Sequence, residues 1–249
     1  GGVAEILWHH GKAEDNAVQL AGILEKNQEN PNLPVWTQRD QNLLYSSLEE
    51  LLADPSIQVV VETIGGQTFA RELITKILES GRDVVTANKD LMAVHGEELL
   101  ALAEKNGRQL LFEASVTGAI PVVRLLQDYF HVDDIEKVSG IFNGTSNYIL
   151  MRMTEAELDY SAALREAKDL GYAEADETLD VNGWDAAHKA MLLATIVHGF
   201  VIDPEEVYVR GIEYVRPLDI RFAKELGYVV KLLCIVRKHE DGSIEIRTQ

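Results

Sequence analysis

Hydrophobic and polar positions along the first 115 residues follow the periods of strands and helices in turn. The run 57–62 (IQVVVE) is rich in β-branched residues, as in a strand that is buried on both faces. Helical patterns at 68–79 and 95–106 each end close to a glycine, and the short strand pattern 83–86 lies between them. Strands and helices that alternate through short connections predict an open parallel sheet with helices on both faces.

The pattern changes after residue 115 and predicts a second, separate domain. Helical patterns come first in this part, and two apolar runs joined by a polar turn follow, as in a hairpin. The helices are predicted at 148–155, 161–170 and 184–198, and the hairpin at 229–236 with 243–247. We therefore predict an α/β domain over residues 1–115 and an α+β domain over residues 116–249.

Both ends of the chain are predicted to be cut. A dinucleotide-binding domain normally begins with a strand and a glycine-rich turn. The opening residues Gly1, Gly2 and Val3 resemble the end of such a turn running into its helix, but no complete G-x-G-x-x-G motif occurs in the sequence. A hairpin at the other end would leave its edge unpaired. We expect the first strand to be missing and the C-terminal part to be truncated.

Composition restricts the classes of partner. The net charge of −18 and the isoelectric point of about 4.7 disfavour nucleic acid and anionic membranes as partners. No apolar run approaches the roughly 18 residues that a membrane span needs. The single cysteine, Cys234, lies in an apolar strand pattern, which fits a reducing compartment. The sequence therefore predicts a cytoplasmic location.

The segment 167–189 (AKDLGYAEADETLDVNGWDAAHK) has the most informative polar pattern. Asp185 and Lys189 are four residues apart in a predicted helix, so their side chains share one face. A lysine held among carboxylates can exchange a proton with a small polar substrate. A solvated acidic loop followed by an ordinary ion pair has the same pattern. The carboxylates of the segment include Asp169, Glu174, Asp176, Asp180 and Asp185.

Five segments in order along the whole chain together resemble homoserine dehydrogenase. They are 61–66 (VETIGG), 86–89 (TANK), 113–121 (EASVTGAIP), 143–150 (NGTSNYIL) and 167–189. One departure is visible, because the family pattern usually has a proline where Glu177 follows Asp176. This substitution is expected to loosen the loop and removes no chemical group.

The resemblance implies a Rossmann-like NAD(P)-binding domain over 1–115 and a catalytic and dimerisation domain over 116–249. It implies the reversible, NAD(P)-dependent oxidation of L-homoserine to L-aspartate 4-semialdehyde, on the route to threonine, methionine and isoleucine. It also implies assembly as a homodimer or homotetramer. The sequence leaves open whether the cofactor is NAD or NADP.

Catalytic roles are assigned by the same resemblance. Lys189 is expected to be the acid/base, or a charged donor that polarises the substrate carbonyl; the sequence leaves its protonation state open. Asp185 is expected to hold Lys189 or the substrate hydroxyl. Glu174 and Asp180 are expected to bind the substrate ammonium group.

Further substrate contacts are expected where a helix begins. Asn143, Gly144 and Thr145 form a turn whose free N–H groups can bind the substrate carboxylate, or they form a plain helix cap. Lys89 follows a predicted strand at the sheet edge where ligands bind, and by resemblance lies near the nicotinamide and the substrate.

Cofactor residues are expected at the ends of the predicted strands. Glu25 follows the predicted strand 18–24 and favours the free ribose hydroxyl of NAD, although Lys26 beside it would suit NADP. Gly65 allows close approach of the backbone to a ligand. The full set of expected cofactor residues is Gly2, Val3, Glu25, Thr63, Ile64, Gly65, Asn88 and Lys89.

A monovalent cation site is also implied by the resemblance. Glu113 would provide its carboxylate, and Val116, Gly118 and Ile120 would provide backbone carbonyl oxygens. Oxygen ligands suit a hard ion such as Na⁺. The ion is expected to order the hinge between the domains without taking part in the reaction.

Two other interpretations remain at this point. One is a different dehydrogenase of similar architecture, such as an acylating semialdehyde dehydrogenase. That enzyme needs a nucleophilic cysteine, and Cys234 is far in sequence from the motifs. The other is a truncated, non-catalytic chain that serves as an oligomerisation or regulatory fragment of a related dehydrogenase.

Overall fold

A computed structural model describes residues 2–10, 18–25, 27, 43–118, 120–130, 132–174, 176–199 and 202–249. The contacts divide the chain into two compact units. The first comprises Gly1–Glu62, Thr68–Val85 and Glu98–Leu110, and the second comprises Thr63–Gln67, Thr86–Glu97 and Leu111–Gln249. Two short segments of the first half therefore belong to the second unit. The predicted boundary at residue 115 does not describe this division.

The first half of the chain alternates strands and helices, as its sequence predicts. Strands β1 and β2 form a parallel pair, and β3, β4 and β5 form a separate sheet in that order. A helix joins each consecutive pair in this sheet, which is the connection that parallel strands require. The elements are α1 (Gly2–His10), β1 (Ile23–Leu24), β2 (Leu44–Tyr45), α2 (Leu48–Ala53), β3 (Val59–Glu62), α3 (Thr68–Glu79), β4 (Asp83–Thr86), α4 (Lys89–Lys105) and β5 (Leu110–Leu111).

Helix α3 shows why this part of the chain folds as it does. Ala70, Ile74, Ile77 and Leu78 are fully buried, at the three- and four-residue spacing of one helix face. The helix is followed by Gly81, whose φ of 83° is a left-handed conformation that favours glycine. Burial of this apolar stripe stabilises the helix beyond its intrinsic propensity.

The second half of the chain is an α+β structure, and this confirms the predicted fold class. Its sheet has the order β6-β8-β9-β7; β6–β8 and β8–β9 are antiparallel, and β7–β9 is parallel. The elements are a 3₁₀ turn (Glu113–Ser115), α5 (Val122–Arg124) continued by a π-helical turn (Leu125–Tyr129), β6 (Lys137–Gly140), α6 (Gly144–Glu155), α7 (Tyr160–Asp169), α8 (Thr178–Val181), α9 (Trp184–His198), a second 3₁₀ turn (Pro204–Glu206), β7 (Tyr208–Val209), α10 (Pro217–Glu225), β8 (Cys234–Lys238) and β9 (Ile244–Thr248).

Helix α9 lies at the centre of the second unit's core. Ala186, Ala190 and Ala194 on this helix are fully buried in one cluster with residues of α6 and β8. Cys234 of β8 belongs to the same cluster, and its thiol donates to the carbonyl oxygen of Ala186 over 3.4 Å. Burial raises the pKa of this thiol to about 12, so the sulfur stays protonated and is a poor nucleophile.

Two helices begin earlier than their apolar patterns predict. Helix α4 begins at Lys89, because the Asn88 side-chain oxygen accepts a hydrogen bond from the N–H of Leu91. Helix α6 begins at Gly144, because Asn143 accepts one from Ser146. The apolar pattern marks the buried part of a helix, whereas the capping residue determines its first turn.

Other predicted elements differ in length or kind. The strand predicted over 18–24 is limited to Ile23–Leu24, and the predicted hairpin strand 229–236 begins only at Cys234. Residues 171–183 of the acidic segment, which has no regular apolar pattern, contain the short helix α8. Strand β7 was not predicted, because it has only two residues and forms by pairing with β9.

A substitution at Gly211 would test how closely the backbone segments of the second unit are packed. A Cβ atom at this position would overlap the carbonyl oxygen of Val181 and the backbone of Asn182. We expect Gly211→Ala to lower the free energy of unfolding by about 1–3 kcal/mol, the usual result of overpacking. Urea denaturation measures the change.

Gly96→Ala is the matched control for this substitution. Gly96 lies within α4, and an added Cβ would meet only the flexible end of the Met92 side chain, at 3.3 Å. Because alanine is a better helix former than glycine, the control should leave stability unchanged or raise it by about 0.5–1 kcal/mol. Equal losses in both variants would contradict the close backbone contact at Gly211.

Candidate active site

A cavity of about 710 Å³ opens within the second unit. This volume is in the range of small-molecule binding sites. Of the eight residues predicted to bind or react with substrate, seven line the cavity and only Lys89 does not. The structure thus brings together Asn143, Gly144, Thr145, Glu174, Asp180, Asp185 and Lys189.

Asp185 is the centre of the charged groups in this cavity. It lies in the first turn of α9 and is only 6% exposed. Its Oδ2 accepts a hydrogen bond from Lys189 Nζ at 2.8 Å, and its Oδ1 pairs with Lys89 Nζ at 2.6 Å. Lys189 also donates to the carbonyl oxygen of Phe142 over 2.8 Å. One buried carboxylate therefore holds two lysines.

The surroundings favour the charged forms of Asp185 and Lys89. Burial by itself would raise the pKa of Asp185, but the charge and hydrogen bonds of Lys189, Lys89 and Asn143 outweigh it and hold the pKa below its usual range. Burial would lower the pKa of Lys89, but the hydrogen bond and charge of Asp185, with smaller effects of Asp90 and Asp180, raise it. Both groups are therefore ionised at neutral pH.

Lys89 is the first residue of α4 and lies in the part of this helix that belongs to the second unit. The cap residue Asn88 donates from its side-chain amide to the carbonyl oxygen of Gly66 at 2.7 Å. This bond links the segments Thr63–Gln67 and Thr86–Glu97, both of which belong to the second unit. Gly65 has a φ of 79°, a conformation that favours glycine, and no atom of the described residues lies within 4 Å of the position that a Cβ atom would take.

The Asn143 side chain caps α6 and also donates hydrogen bonds to two carboxylates of the cavity. Its side-chain oxygen accepts a hydrogen bond from the N–H of Ser146 at 2.7 Å, and this bond satisfies one free N–H group in the first turn of α6. Its side-chain nitrogen donates to Asp180 Oδ1 at 2.7 Å and to Asp185 Oδ2 at 2.9 Å. The hydroxyl of Ser146 also donates to the carbonyl oxygen of Asp180. Asp180 and Asp185 are therefore joined through α6.

Two tyrosines that sequence reasoning missed form part of the cavity wall. The rings of Tyr148 and Tyr172 stack with centroids 4.5 Å apart. The Tyr148 hydroxyl donates to Glu166 over 2.6 Å, and Glu166 also accepts from Arg152. The hydroxyl of Thr145 donates to the carbonyl oxygen of Tyr172. The two tyrosines lie in the motif segments 143–150 and 167–189, and this position is the signal from which the sequence could have predicted them as cavity residues.

Glu177, which departs from the family pattern, has a local electrostatic contact. It precedes α8 and forms an ion pair with Lys168 of α7 at 2.5 Å. Asp176 beside it accepts a hydrogen bond from the N–H of Thr178 and is exposed. The ion pair of Glu177 with Lys168 therefore connects this loop to α7.

The loop predicted to bind a cation uses its oxygens in hydrogen bonds. The two carboxylate oxygens of Glu113 accept from the N–H groups of Val123 and Arg124, at 2.8 and 3.0 Å, and so cap α5. The carbonyl oxygen of Ile120 accepts from Thr117 Oγ1 at 2.7 Å and from the N–H of Val122 at 2.8 Å. Within the described ranges, no three His, Cys, Asp or Glu side chains are grouped to hold a metal ion.

Three of the predicted cofactor residues, Gly2, Val3 and Glu25, lie in the first unit. Gly2 and Val3 begin α1, and Val3 is exposed. Glu25 follows β1, and its carboxylate accepts from the N–H of Asn27 at 2.9 Å. Lys26 lies outside the described residues. In the part of the chain that the structure describes, no helix is long and apolar enough to span a membrane.

The first half of the chain has a sheet with strand–helix–strand connections, and the α+β second half has a polar cavity lined by acidic residues and Lys189. This is the architecture of a two-domain nucleotide-dependent dehydrogenase. Two family models match the chain in this order. The NAD-binding domain of homoserine dehydrogenase matches residues 1–113, and the homoserine dehydrogenase model matches residues 121–249. The chain belongs to the homoserine dehydrogenase family, which confirms the resemblance of its motifs.

Similar proteins support this membership. The chain is 44% identical over 231 residues to a homoserine dehydrogenase of Bacillus subtilis, covering 92% of the chain and 51% of that protein. It is 45% identical to one of Pseudomonas aeruginosa, covering 78% of the chain and 44% of that protein. The chain thus spans about half the length of the curated relatives it matches.

Solved structures of the family have the same fold. A homoserine dehydrogenase from Thiobacillus denitrificans superposes with a TM-score of 0.81 at 39% identity, covering 93% of this chain and 52% of that one. A hyperthermophilic archaeal homoserine dehydrogenase in complex with NADPH superposes with a TM-score of 0.74 at 25% identity, covering 100% of this chain and 77% of that one.

Stability should depend on the charge of Asp185. We expect Asp185→Asn to lower the free energy of unfolding at pH 7 by about 3 kcal/mol, because it leaves two lysines without their buried partner. The pKa of Asp185 is lower in the folded state, so its contribution is present at neutral pH and is lost as the pH falls towards that lowered pKa. The deficit should therefore shrink in acid, as urea denaturation at a series of pH values would show.

Asp134→Asn is the control for the loss of a carboxylate. Asp134 pairs with Lys238 at the surface, where its side chain is 77% exposed. Surface pairs contribute little to stability, so this variant should unfold nearly as the wild type does. If both variants were equally stable at pH 7, Asp185 would not be the charge that holds the site together.

Proposed function

We propose that this chain carries out the NAD(P)-dependent oxidation of L-homoserine to L-aspartate 4-semialdehyde and the reverse reduction. The observation that supports this proposal best is the group formed by Asp185, Lys189 and Lys89, beside a cavity that Glu174 and Asp180 also line. The chain's relatives in Bacillus subtilis and Pseudomonas aeruginosa are named homoserine dehydrogenase.

Lys189 is the proposed acid/base. Oxidation of a primary alcohol sends a hydride to the nicotinamide and the hydroxyl proton to a base, and reduction needs an acid to protonate the new alkoxide. Lys189 lies on a helix and donates to Asp185 and to the Phe142 carbonyl oxygen. In the reduction, the third N–H of the Lys189 ammonium group donates its proton to the substrate oxygen; in the oxidation, the neutral amine accepts the hydroxyl proton. Asp185 fixes the direction of this donor.

The two charged groups of the substrate match two sets of residues that line the cavity. Glu174 and Asp180 are proposed to bind the ammonium group of homoserine, since carboxylates attract and accept hydrogen bonds from it. The N–H groups of Gly144 and Thr145 in the first turn of α6 are proposed to bind the substrate carboxylate. Both sets line one cavity of the second unit.

The cofactor is NAD(P), in keeping with the NAD-binding family model and with the NADPH complex of the archaeal relative. The residues that we propose as its contacts are those expected from the sequence: Gly2, Val3, Glu25, Thr63, Ile64, Gly65, Asn88 and Lys89. Glu25 favours NAD, because a carboxylate accepts hydrogen bonds from the ribose hydroxyls and repels a 2′-phosphate.

A sodium ion at Glu113, Val116, Gly118 and Ile120 stays a prediction from the resemblance. The residues fit such an ion only in part. Each oxygen of Glu113 accepts one N–H and retains a lone pair, but the Ile120 carbonyl oxygen already accepts two hydrogen bonds. Ile120 would have to release the Thr117 hydroxyl to coordinate a cation. No step of the proposed reaction depends on this ion.

Assembly as a homodimer or homotetramer is also proposed. Leu218 and Phe222 of α10 and the nearby Leu226 and Tyr228 are large apolar residues that are exposed in the single chain. Apolar surface of this kind is common at subunit interfaces. A non-catalytic oligomerisation fragment would present the same surface, so activity distinguishes the two functions. The cytoplasmic location stays a prediction from composition.

Removal of the Lys189 ammonium tests the proposed reaction. We expect Lys189→Ala to lower kcat for NAD(P)-dependent homoserine oxidation by about 10²–10⁴-fold, the usual contribution of a general acid/base. Steady-state absorbance of the reduced nicotinamide measures the rate. Lys238→Ala is the control, since the Lys238 ammonium group lies near the surface in an ion pair with Asp134. Wild-type turnover in Lys189→Ala would remove Lys189 from the mechanism.

Cofactor preference should depend on Glu25. We expect Glu25→Ala to lower the ratio of kcat/KM for NAD to that for NADP by about 10-fold, the effect of losing about 1.4 kcal/mol of hydrogen bonding to the ribose. Glu49→Ala removes another carboxylate of the first unit, in the first turn of α2, and should leave the ratio unchanged. An unchanged ratio in Glu25→Ala would show that Glu25 does not select the cofactor.

A further inference from the structure

The side chain of Asn143 uses both of its N–H donors and its carbonyl oxygen within the candidate active site. It is only 4% exposed. Its nitrogen donates one hydrogen bond to Asp180 of α8 and one to Asp185 of α9, and its oxygen accepts the N–H of Ser146 in α6. A primary amide has two N–H donors, so both are directed at carboxylates.

The carboxylates of Asp180 and Asp185 need a hydrogen-bond donor between them, and the Asn143 amide is in that position. Asp180 and Asp185 approach the same amide nitrogen, at 2.7 and 2.9 Å, so their oxygens lie close together. Like charges at this separation repel, and repulsion is relieved either by movement or by protonation of one group. Lys189 and Lys89 both pair with Asp185, whereas the Asp180 carboxylate accepts a hydrogen bond from Asn143.

We propose that Asn143 is a positioning residue, which sets Asp180 and Asp185 at a fixed separation and, through Asp185, directs Lys189 and Lys89. This inference rests on the proposed function and deepens it. It also changes the role expected from the sequence, in which Asn143 binds the substrate carboxylate. That contact is left to the backbone of Gly144 and Thr145.

A helix cap alone would explain only one of the three hydrogen bonds. The cap uses the side-chain oxygen, whereas the bridge uses the side-chain nitrogen. Asn143→Asp keeps the size of the side chain and the capping oxygen but replaces the donating NH₂ group with an acceptor. Asn143→Ser also keeps a capping oxygen and has no amide donor. The two roles can therefore be separated by substitution.

Both variants should lose activity if Asn143 positions the carboxylates. We expect kcat/KM for homoserine to fall by about 10–100-fold in Asn143→Ser and by more in Asn143→Asp, since hydrogen bonds to charged groups are lost. A protonated aspartic acid regains one O–H donor. The activity of Asn143→Asp relative to wild type should therefore rise as the pH is lowered from 8 to 5. A cap-only role predicts near-wild-type kinetics in both variants at every pH.

Asp159→Ala is the control for loss of a cap in the same unit. Asp159 caps α7 by accepting the N–H of Ala162 at 2.7 Å. This variant should lower the melting temperature but leave kcat/KM and its pH profile unchanged. If it lost as much activity as Asn143→Ser, general destabilisation would explain the result and the positioning role would be wrong.

Thermal unfolding provides a readout that does not depend on the reaction. In Asn143→Asp a third carboxyl group faces Asp180 and Asp185, with Lys189 and Lys89 as the nearby cations. Its ionisation is opposed in the folded state, so the deficit in melting temperature relative to wild type should grow from pH 5 to pH 8. A pH-independent deficit would overturn the proposal. If the wild type does not oxidise homoserine, the proposed function fails while this measurement still decides the role of Asn143.

Discussion

A buried carboxylate must be compensated, and Asp185 meets this requirement with groups from three parts of the second unit. Lys89 comes from the start of α4, Lys189 from the next turn of α9, and Asn143 from the cap of α6. The loss of any one of them would weaken this compensation, and an uncompensated buried charge is strongly destabilising. The electrostatic requirement of one side chain thus determines the relative positions of the groups proposed to act on the substrate.

Helix α9 combines this charged cluster with the hydrophobic core. Ala186, Ala190 and Ala194 pack in the core, while Asp185 and Lys189 line the cavity. Side chains on a well-packed helix have few alternative positions, which suits a proton donor that must be aimed within a few tenths of an ångström. Gly183 precedes the helix with a φ of 91°, in a conformation that favours glycine. Both the packing of the core and the ion pairs of the site therefore stabilise α9.

Several predictions from the sequence were local and were accurate for that reason. The spacing of Asp185 and Lys189 placed both on one helix face, and the predicted limits 184–198 of that helix agree with α9. Helix α3 and strand β4 also agree with their patterns. The starts of α4 and α6 were wrong, because Asn88 and Asn143 act through side-chain hydrogen bonds that an apolar pattern does not record.

The sequence by itself determined the fold class, the family and most of the residues around the cavity, because periodicity and motif order depend on neighbours along the chain. Only the tertiary structure showed that Lys89 pairs with Asp185, that Asn143 joins Asp180 to Asp185, and that Glu113 caps α5. These contacts join residues that are not neighbours in sequence. Their existence depends on how the helices pack and on which polar groups remain to be satisfied after burial, and no local pattern contains that information.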